Sequence, residues 1–199
     1  MANSQAVIDS ATNWAYAAGW AATKRMPERA AQQVFRTAAD TLWWQNAGGV
    51  DQLNKNLLRV RPDLDANELN TLSRAGMRSY MRYWCEAFRL PKMQPEQINE
   101  RFELRGVELL DAALDSGTGA LMIPGHMANW DLAGAWATQR YGQLTTVAER
   151  LKPEKLFDQF VSYRESLGME VLPLGDPDVM RNLIERLRAG GLVALLGDR

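Results

Sequence analysis

One histidine occurs in the 199 residues, and it stands in the run Pro124-Gly125-His126-Met127-Ala128-Asn129-Trp130-Asp131. Imidazole has an unperturbed pKa of about 6.5, so His126 is suited to take up a proton near neutral pH as a general base. A carboxylate, Asp131, follows five residues later. Inside one regular helix, five positions would set the two side chains about 140° apart. With His126 on a turn and Asp131 in the first turn of the next helix, the carboxylate can fold back toward the ring. There it would fix the tautomer and stabilise the imidazolium. No protein nucleophile stands nearby, so the pair would activate a hydroxyl or thiol directly. The competing readings are a buried, hydrogen-bonded structural histidine, and an Asp131 that simply meets the positive end of a helix dipole.

Arg164 is the next residue with chemical potential. In the segment after Pro153, Leu156, Phe157, Phe160 and Val161 recur on one helix face. Arg164 lies three and four residues beyond Val161 and Phe160, on that same face. A guanidinium turned inward needs an anionic partner, and Glu149 and Asp198 are the candidates; its stem could also snorkel. Glu149 ends an expected strand on the rim that carries His126, where it could orient an acceptor or pair with Arg164 or Arg150. Arg74, Arg78 and Arg82 form a stripe at four-residue spacing, which reads either as a solvated helix face or as a contact for anionic headgroups.

Other signatures are missing. There is no Gly-x-Ser-x-Gly nucleophile elbow, no Walker A loop and no complete Gly-x-Gly-x-x-Gly. One histidine and one cysteine, Cys85, leave no nitrogen- or sulfur-rich metal site and no internal disulfide framework. The simplest setting for such cysteine usage is reducing and cytosolic. A net charge of −1, with 46% hydrophobic and 24% charged residues, is ordinary globular composition and gives no reason to expect nucleic acid.

The elements that must position these residues change period along the chain. From Pro27 to Leu90 the pattern is helical: Ala31, Val34, Phe35, Ala38 and Leu42 share a face. Gly48-Gly49 ends that helix, a short one is expected over Val50 to Val60, and Asp65 with Glu68 forms a capping box for a long third helix. Its apolar residues include Leu69, Leu72, Met77, Tyr80, Met81, Trp84 and Phe88. Near Phe102 short β-type runs begin to alternate with helices. Strands are expected at Phe102-Leu104, Ala120-Ile123, Leu144-Glu149, Glu170-Leu174 and Leu192-Leu196. Helices are expected at Val107-Leu114, after His126, at Pro153-Leu167 and at Pro177-Ala189, the last announced by Asp176-Pro177. The fold class is α/β, a central sheet layered with helices and preceded by an N-terminal helical region, with residues 1–100 helical and 101–199 forming the α/β core, both expected in one structural unit. Sites in such folds form at the carboxyl ends of the strands, where His126 lies. The sequence ends directly after an apolar strand, and the expectation is that the fold continues past Arg199.

No segment approaches the roughly 20 apolar residues of a membrane span. Seven tryptophans are present, with Trp14, Trp20, Trp43 and Trp44 near the N-terminus among Lys24, Arg25, Arg29 and Arg36. Indoles mixed with basic residues suit either an interfacial helix at lipid headgroups or the interior of a helical subdomain.

The run His126-Met127-Ala128-Asn129-Trp130-Asp131, after a strand and Gly125, resembles the His-x-x-x-x-Asp signature of the glycerolipid acyltransferase superfamily. Its Gly-His-x-x-Asn-Trp-Asp form resembles the lipid A acyltransferase branch, and within it the members that acylate phosphatidylinositol mannosides. This resemblance implies transfer of a fatty acyl group, palmitoyl for those members, from acyl-CoA or an acyl carrier protein. The implied acceptor is the 6-hydroxyl of a mannose on phosphatidylinositol, with His126 as base and no cofactor or metal. It further implies a peripheral position on the anionic cytoplasmic face of the plasma membrane. Arg164 opens a segment, through Gly168, that resembles the family's arginine-then-glycine block and so implies substrate contact. Asp198 and Arg199 fall where the family carries further acidic and substrate-contacting residues, which also admits an acidic partner for His126 just beyond Arg199. Two other readings stand beside transfer: a non-catalytic acyl-CoA- or lipid-binding module, and a thioesterase using water.

Overall fold

The computed structural model describes residues 19–20, 22–47, 49–152 and 154–198. The chain divides between Arg89 and Leu90 into a helical unit and an α/β unit.

In the helical unit, α1 (Glu28–Trp44) and α2 (Val50–Val60) both pack on the long α3 (Ala66–Arg89). The small Ala31 and Ala39 are fully buried, and Val50 and Met77 join Ala39 in the core. Val34, placed on the inner face by its spacing, is half exposed, as are Leu72 and Tyr80 of α3. Pro27 precedes the first turn of α1, and Asp65 caps α3 as the sequence predicts. Its Oδ1 accepts from the N–H groups of Asn67 and Glu68, and Glu68 Oε2 accepts from the Asp65 N–H. The arginine stripe has an occupant that neither sequence reading foresaw. Arg74 and Arg78 each grip Asp40 of α1 through two nitrogens at 2.6–2.9 Å. Together they hold the Asp40 carboxyl far below the usual range, the Arg78 hydrogen bonds contributing most. Trp20 stacks on Phe88 and Trp43 donates to Ser73 Oγ, so these two indoles serve packing, whereas Trp44 stands exposed. Trp14 lies outside the described residues. Among those residues no helix is long and apolar enough to cross a membrane.

In the α/β unit, a 3-10 turn (Leu90–Lys92) leads to α4 (Pro95–Arg101), α5 (Val107–Asp115), β1 (Ala120–Met122), α6 (Trp130–Tyr141), β2 (Leu144–Ala148), α7 (Glu154–Glu165), β3 (Met169–Pro173), α8 (Val179–Arg188) and β4 (Leu192–Ala194). The four strands form one parallel sheet in the order β1-β4-β2-β3. Parallel strands need both faces covered and therefore read as apolar runs rather than alternating ones. On one face Leu144, Met169, Val171 and Leu192 meet Ala137 of α6, with Leu110, Leu114 and Val161 packed around them. On the other, Val193 meets Val179 and Leu183 of α8.

Three local expectations need correction. Phe102-Leu104 is not a strand; Phe102 is drawn onto Trp136, ring centroids 5.0 Å apart, and the run stays irregular. Asp176-Pro177 makes a turn before the helix rather than its cap. The Asp176 side chain accepts from the Asp178 N–H and its carbonyl from the Val179 N–H, so α8 starts at Val179. The helix begun near Pro153 ends at Glu165, because the N–H groups of Leu167 and Gly168 fold back in tight turns onto Arg164 and Glu165, with Gly168 at a positive φ of 87°.

Candidate active site

β4 lies between β1 and β2, and that insertion builds the site. Ala120 to Met122 run beside Leu192 to Ala194 in parallel register. Hydrogen bonds continue past both strands, from Leu195 N–H to Met122 O and from Gly197 N–H to Pro124 O, each at 3.0 Å. The two chains therefore emerge side by side at the carboxyl end of the sheet. One carries Gly125 and His126, the other Asp198. A Cβ on Gly197 would collide with the Ile123 side chain, so glycine lets the chains stay this close.

His126 sits at the centre of a three-residue turn closed by Met127 N–H to Gly125 O at 2.8 Å. Ala128 follows with φ +53°, a left-handed conformation uncommon for a residue with a Cβ. Asn129 then caps α6, its side-chain oxygen accepting from the Leu132 N–H at 3.0 Å. Asp198 reaches this turn twice: Oδ2 accepts the His126 backbone N–H at 2.7 Å, and Oδ1 lies 2.6 Å from Nδ1. A carboxylate only accepts, so Nδ1 carries a proton, and in the neutral imidazole the free lone pair is then on Nε2. The imidazole keeps a third of its exposure. Hydrogen bonds from the His126 ring, then from its backbone N–H, hold the Asp198 carboxyl below the usual carboxylate range. The carboxylate bonded to the His126 ring is that of Asp198, seventy-two residues away.

Asp131 has a different partner. It is 2% exposed in the first turn of α6, and its Oδ1 accepts from Arg164 Nε of α7 at 3.0 Å. The inward arginine has the anion its position demands, but that anion is neither Glu149 nor Asp198 as the spacing suggested. The pair ties the start of α6, and so the end of the His126 turn, to the last turn of α7. Glu149 is exposed directly after β2 on the same rim, and its neighbour Arg150 is engaged by Glu154 at 3.0 Å. Arg199 lies outside the described residues. Trp130, present in the motif but given no role by its type, stands T-shaped to His126 with ring centroids 5.2 Å apart. Among the described residues no group of three histidine, cysteine or acidic side chains could hold a metal ion.

The model of the family described as bacterial lipid A biosynthesis acyltransferase matches residues 2–199. The chain belongs to this family. Two relatives named phosphatidylinositol mannoside acyltransferase extend the comparison. One, from Mycobacterium tuberculosis, is 46% identical over 197 residues, which is 97% of this chain and 62% of the relative. The other, from Mycolicibacterium smegmatis, is 46% identical over 190 residues, 94% of this chain and 62% of the relative. The chain therefore spans 62% of the length of these relatives. The resemblance read from the His126 motif to the lipid A acyltransferase branch agrees with this family assignment, and the α/β sheet after a helical region, expected from the change of period along the chain, is the fold observed.

Proposed function

We infer that this chain carries the His126 half-site of an O-acyltransferase that acts on phosphatidylinositol mannosides. One observation supports the chemistry above the others: Asp198 engages Nδ1 of His126 at 2.6 Å on the carboxyl rim of the sheet, leaving Nε2 to act as base. The names of the relatives support the acceptor class. The donor is a fatty acyl thioester, palmitoyl-CoA in the reading adopted here, and the acceptor is the 6-hydroxyl of a mannose. His126 Nε2 takes the hydroxyl proton as the oxygen attacks the thioester carbonyl. The tetrahedral intermediate collapses with loss of the C–S bond, and the imidazolium returns its proton to the leaving thiolate. No acyl-enzyme forms, and no metal or cofactor takes part. Asp198 stabilises the imidazolium between the two proton transfers. Arg164, held by Asp131, fixes the frame behind the turn, and Glu149 and Arg199 are the residues assigned to acceptor contacts. The reaction takes place at the anionic cytoplasmic face of the plasma membrane.

The test is incubation of the protein with labelled palmitoyl-CoA and a panel of mannosylated and non-mannosylated phosphatidylinositols, with products read by mass spectrometry. Label on the mannosylated lipids alone is the expected result. His126→Ala is expected to abolish transfer while leaving the thermal midpoint nearly unchanged. Free fatty acid released at one rate with and without acceptor would make the site a thioesterase. Ligand binding that survives His126→Ala, with no product from any acceptor, would make it a binding module.

A further inference from the structure

A general base must keep one nitrogen aimed at its substrate, and histidine is poorly equipped to do this by itself. Its χ2 torsion is broad and roughly two-fold, so a half-turn exchanges nitrogen and carbon positions around the ring. Asp198 opposes that rotation, but its side chain is 45% exposed, and a hydrogen-bonded pair open to water is a weak restraint. The left-handed Ala128 is a conformation that persists only where its surroundings over-determine it.

The second restraint is an indole. Trp130 stands against His126 with ring centroids 5.2 Å apart and planes at 73°, within the favoured separation for edge-to-face aromatic pairs. Trp130 is itself firmly placed. It is the first residue of α6, preceded by the cap Asn129 and followed by Asp131, which is buried on Arg164. We propose that Trp130 is a positioning residue for His126, a wall that confines the imidazole to the rotamer in which Nδ1 meets Asp198 and Nε2 faces the acceptor. Asp198 comes from the β4 side of the turn and Asp131, paired with Arg164, from the α6 side. The ring is thus held by a carboxylate at Nδ1 and flanked by an indole in T-shaped contact. A site precise enough for proton transfer needs side chains locked by packing as well as by hydrogen bonds. The proposal rests on His126 being the base, and its first readout does not depend on turnover.

The solitary histidine makes that readout direct, because imidazole 15N signals from labelled protein report one residue. The unmutated protein is expected to show a single ring system in the Nδ1–H tautomer, with nuclear Overhauser contacts between the imidazole and indole protons. Trp130→Leu, which keeps an apolar side chain but removes the ring, is expected to give mixed tautomers. It should also lower kcat about 10- to 100-fold, the scale of a misplaced catalytic group, with KM within about twofold. Trp130→Phe is expected to restore both the tautomer and most of the rate. A leucine variant that keeps one Nδ1–H tautomer and full kcat overturns the proposal. So does the absence of imidazole–indole contacts in the unmutated protein, a measurement that stands even if the leucine variant does not fold. If His126→Ala abolishes transfer while Trp130→Leu does not affect it, the acyltransferase reading survives and the role of Trp130 falls. If no acyl donor is turned over, the tautomer still decides the role of Trp130.

Discussion

At the scale of residues, Asp198 gives the histidine its direction. Its carboxylate accepts from both the backbone and the ring of the same residue, so it favours the Nδ1–H tautomer and ties the ring to the turn. Asp198→Asn preserves size but can offer an N–H to Nδ1, which favours the opposite tautomer. Transfer is expected to fall by about 10²–10⁴ in kcat with little change in KM, measured by steady-state kinetics. The pH dependence follows from the direction of the Asp198 shift. A carboxyl held below its unfolded value, about 3.9, contributes fully above that pH and loses its contribution as the pH falls through the lower, folded value. The pair should therefore stay intact above about pH 4. An acid limb in the pH–rate profile above that point belongs to another group, and Asp198→Glu should leave it in place.

At the scale of elements, the buried Asp131–Arg164 pair joins the N-terminus of α6 to the C-terminus of α7. The spacing of Leu156, Phe157, Phe160 and Val161 places Arg164 on the apolar face, where a guanidinium turned inward would need an anion. Which anion answers that demand depends on how the two helices lie on the sheet, and periodicity does not encode this. Asp131→Ala leaves a largely buried guanidinium without its carboxylate and is expected to cost about 3–5 kcal/mol by denaturant unfolding. Asp131→Ala combined with Arg164→Leu should recover much of that loss, since the uncompensated charge is gone. If the double variant is no more stable than Asp131→Ala, the pair is not the source of the cost. In the helical unit, the Asp65–Glu68 capping box could be read from four consecutive residues and appears as expected. The grip of Arg74 and Arg78 on Asp40 could not be, because it spans more than thirty residues between two helices.

At the scale of the α/β unit, the placement of β4 between β1 and β2 creates the His126–Asp198 pair. Gly197 is where that placement is most tightly constrained. Gly197→Ala should force Ile123 out of its rotamer, a strain on the order of 0.5–1.5 kcal/mol, and shift Asp198 from His126 with a several-fold loss of kcat. Adding Ile123→Ala opens the space and should restore the rate; failure of that rescue would place the constraint elsewhere. The sequence by itself determined that His126 lies on a turn at a strand's carboxyl end, that the surrounding fold is α/β with a helical region before it, and that Arg164 shares the apolar face of its helix. All of these follow from local periodicity and capping. Only the tertiary structure decided that Asp198 faces His126, that Asp131 faces Arg164 and that the Trp130 ring stands T-shaped to the imidazole. The reason is physical: strand order and helix placement join residues from distant parts of the chain, and no local preference of either partner records the other.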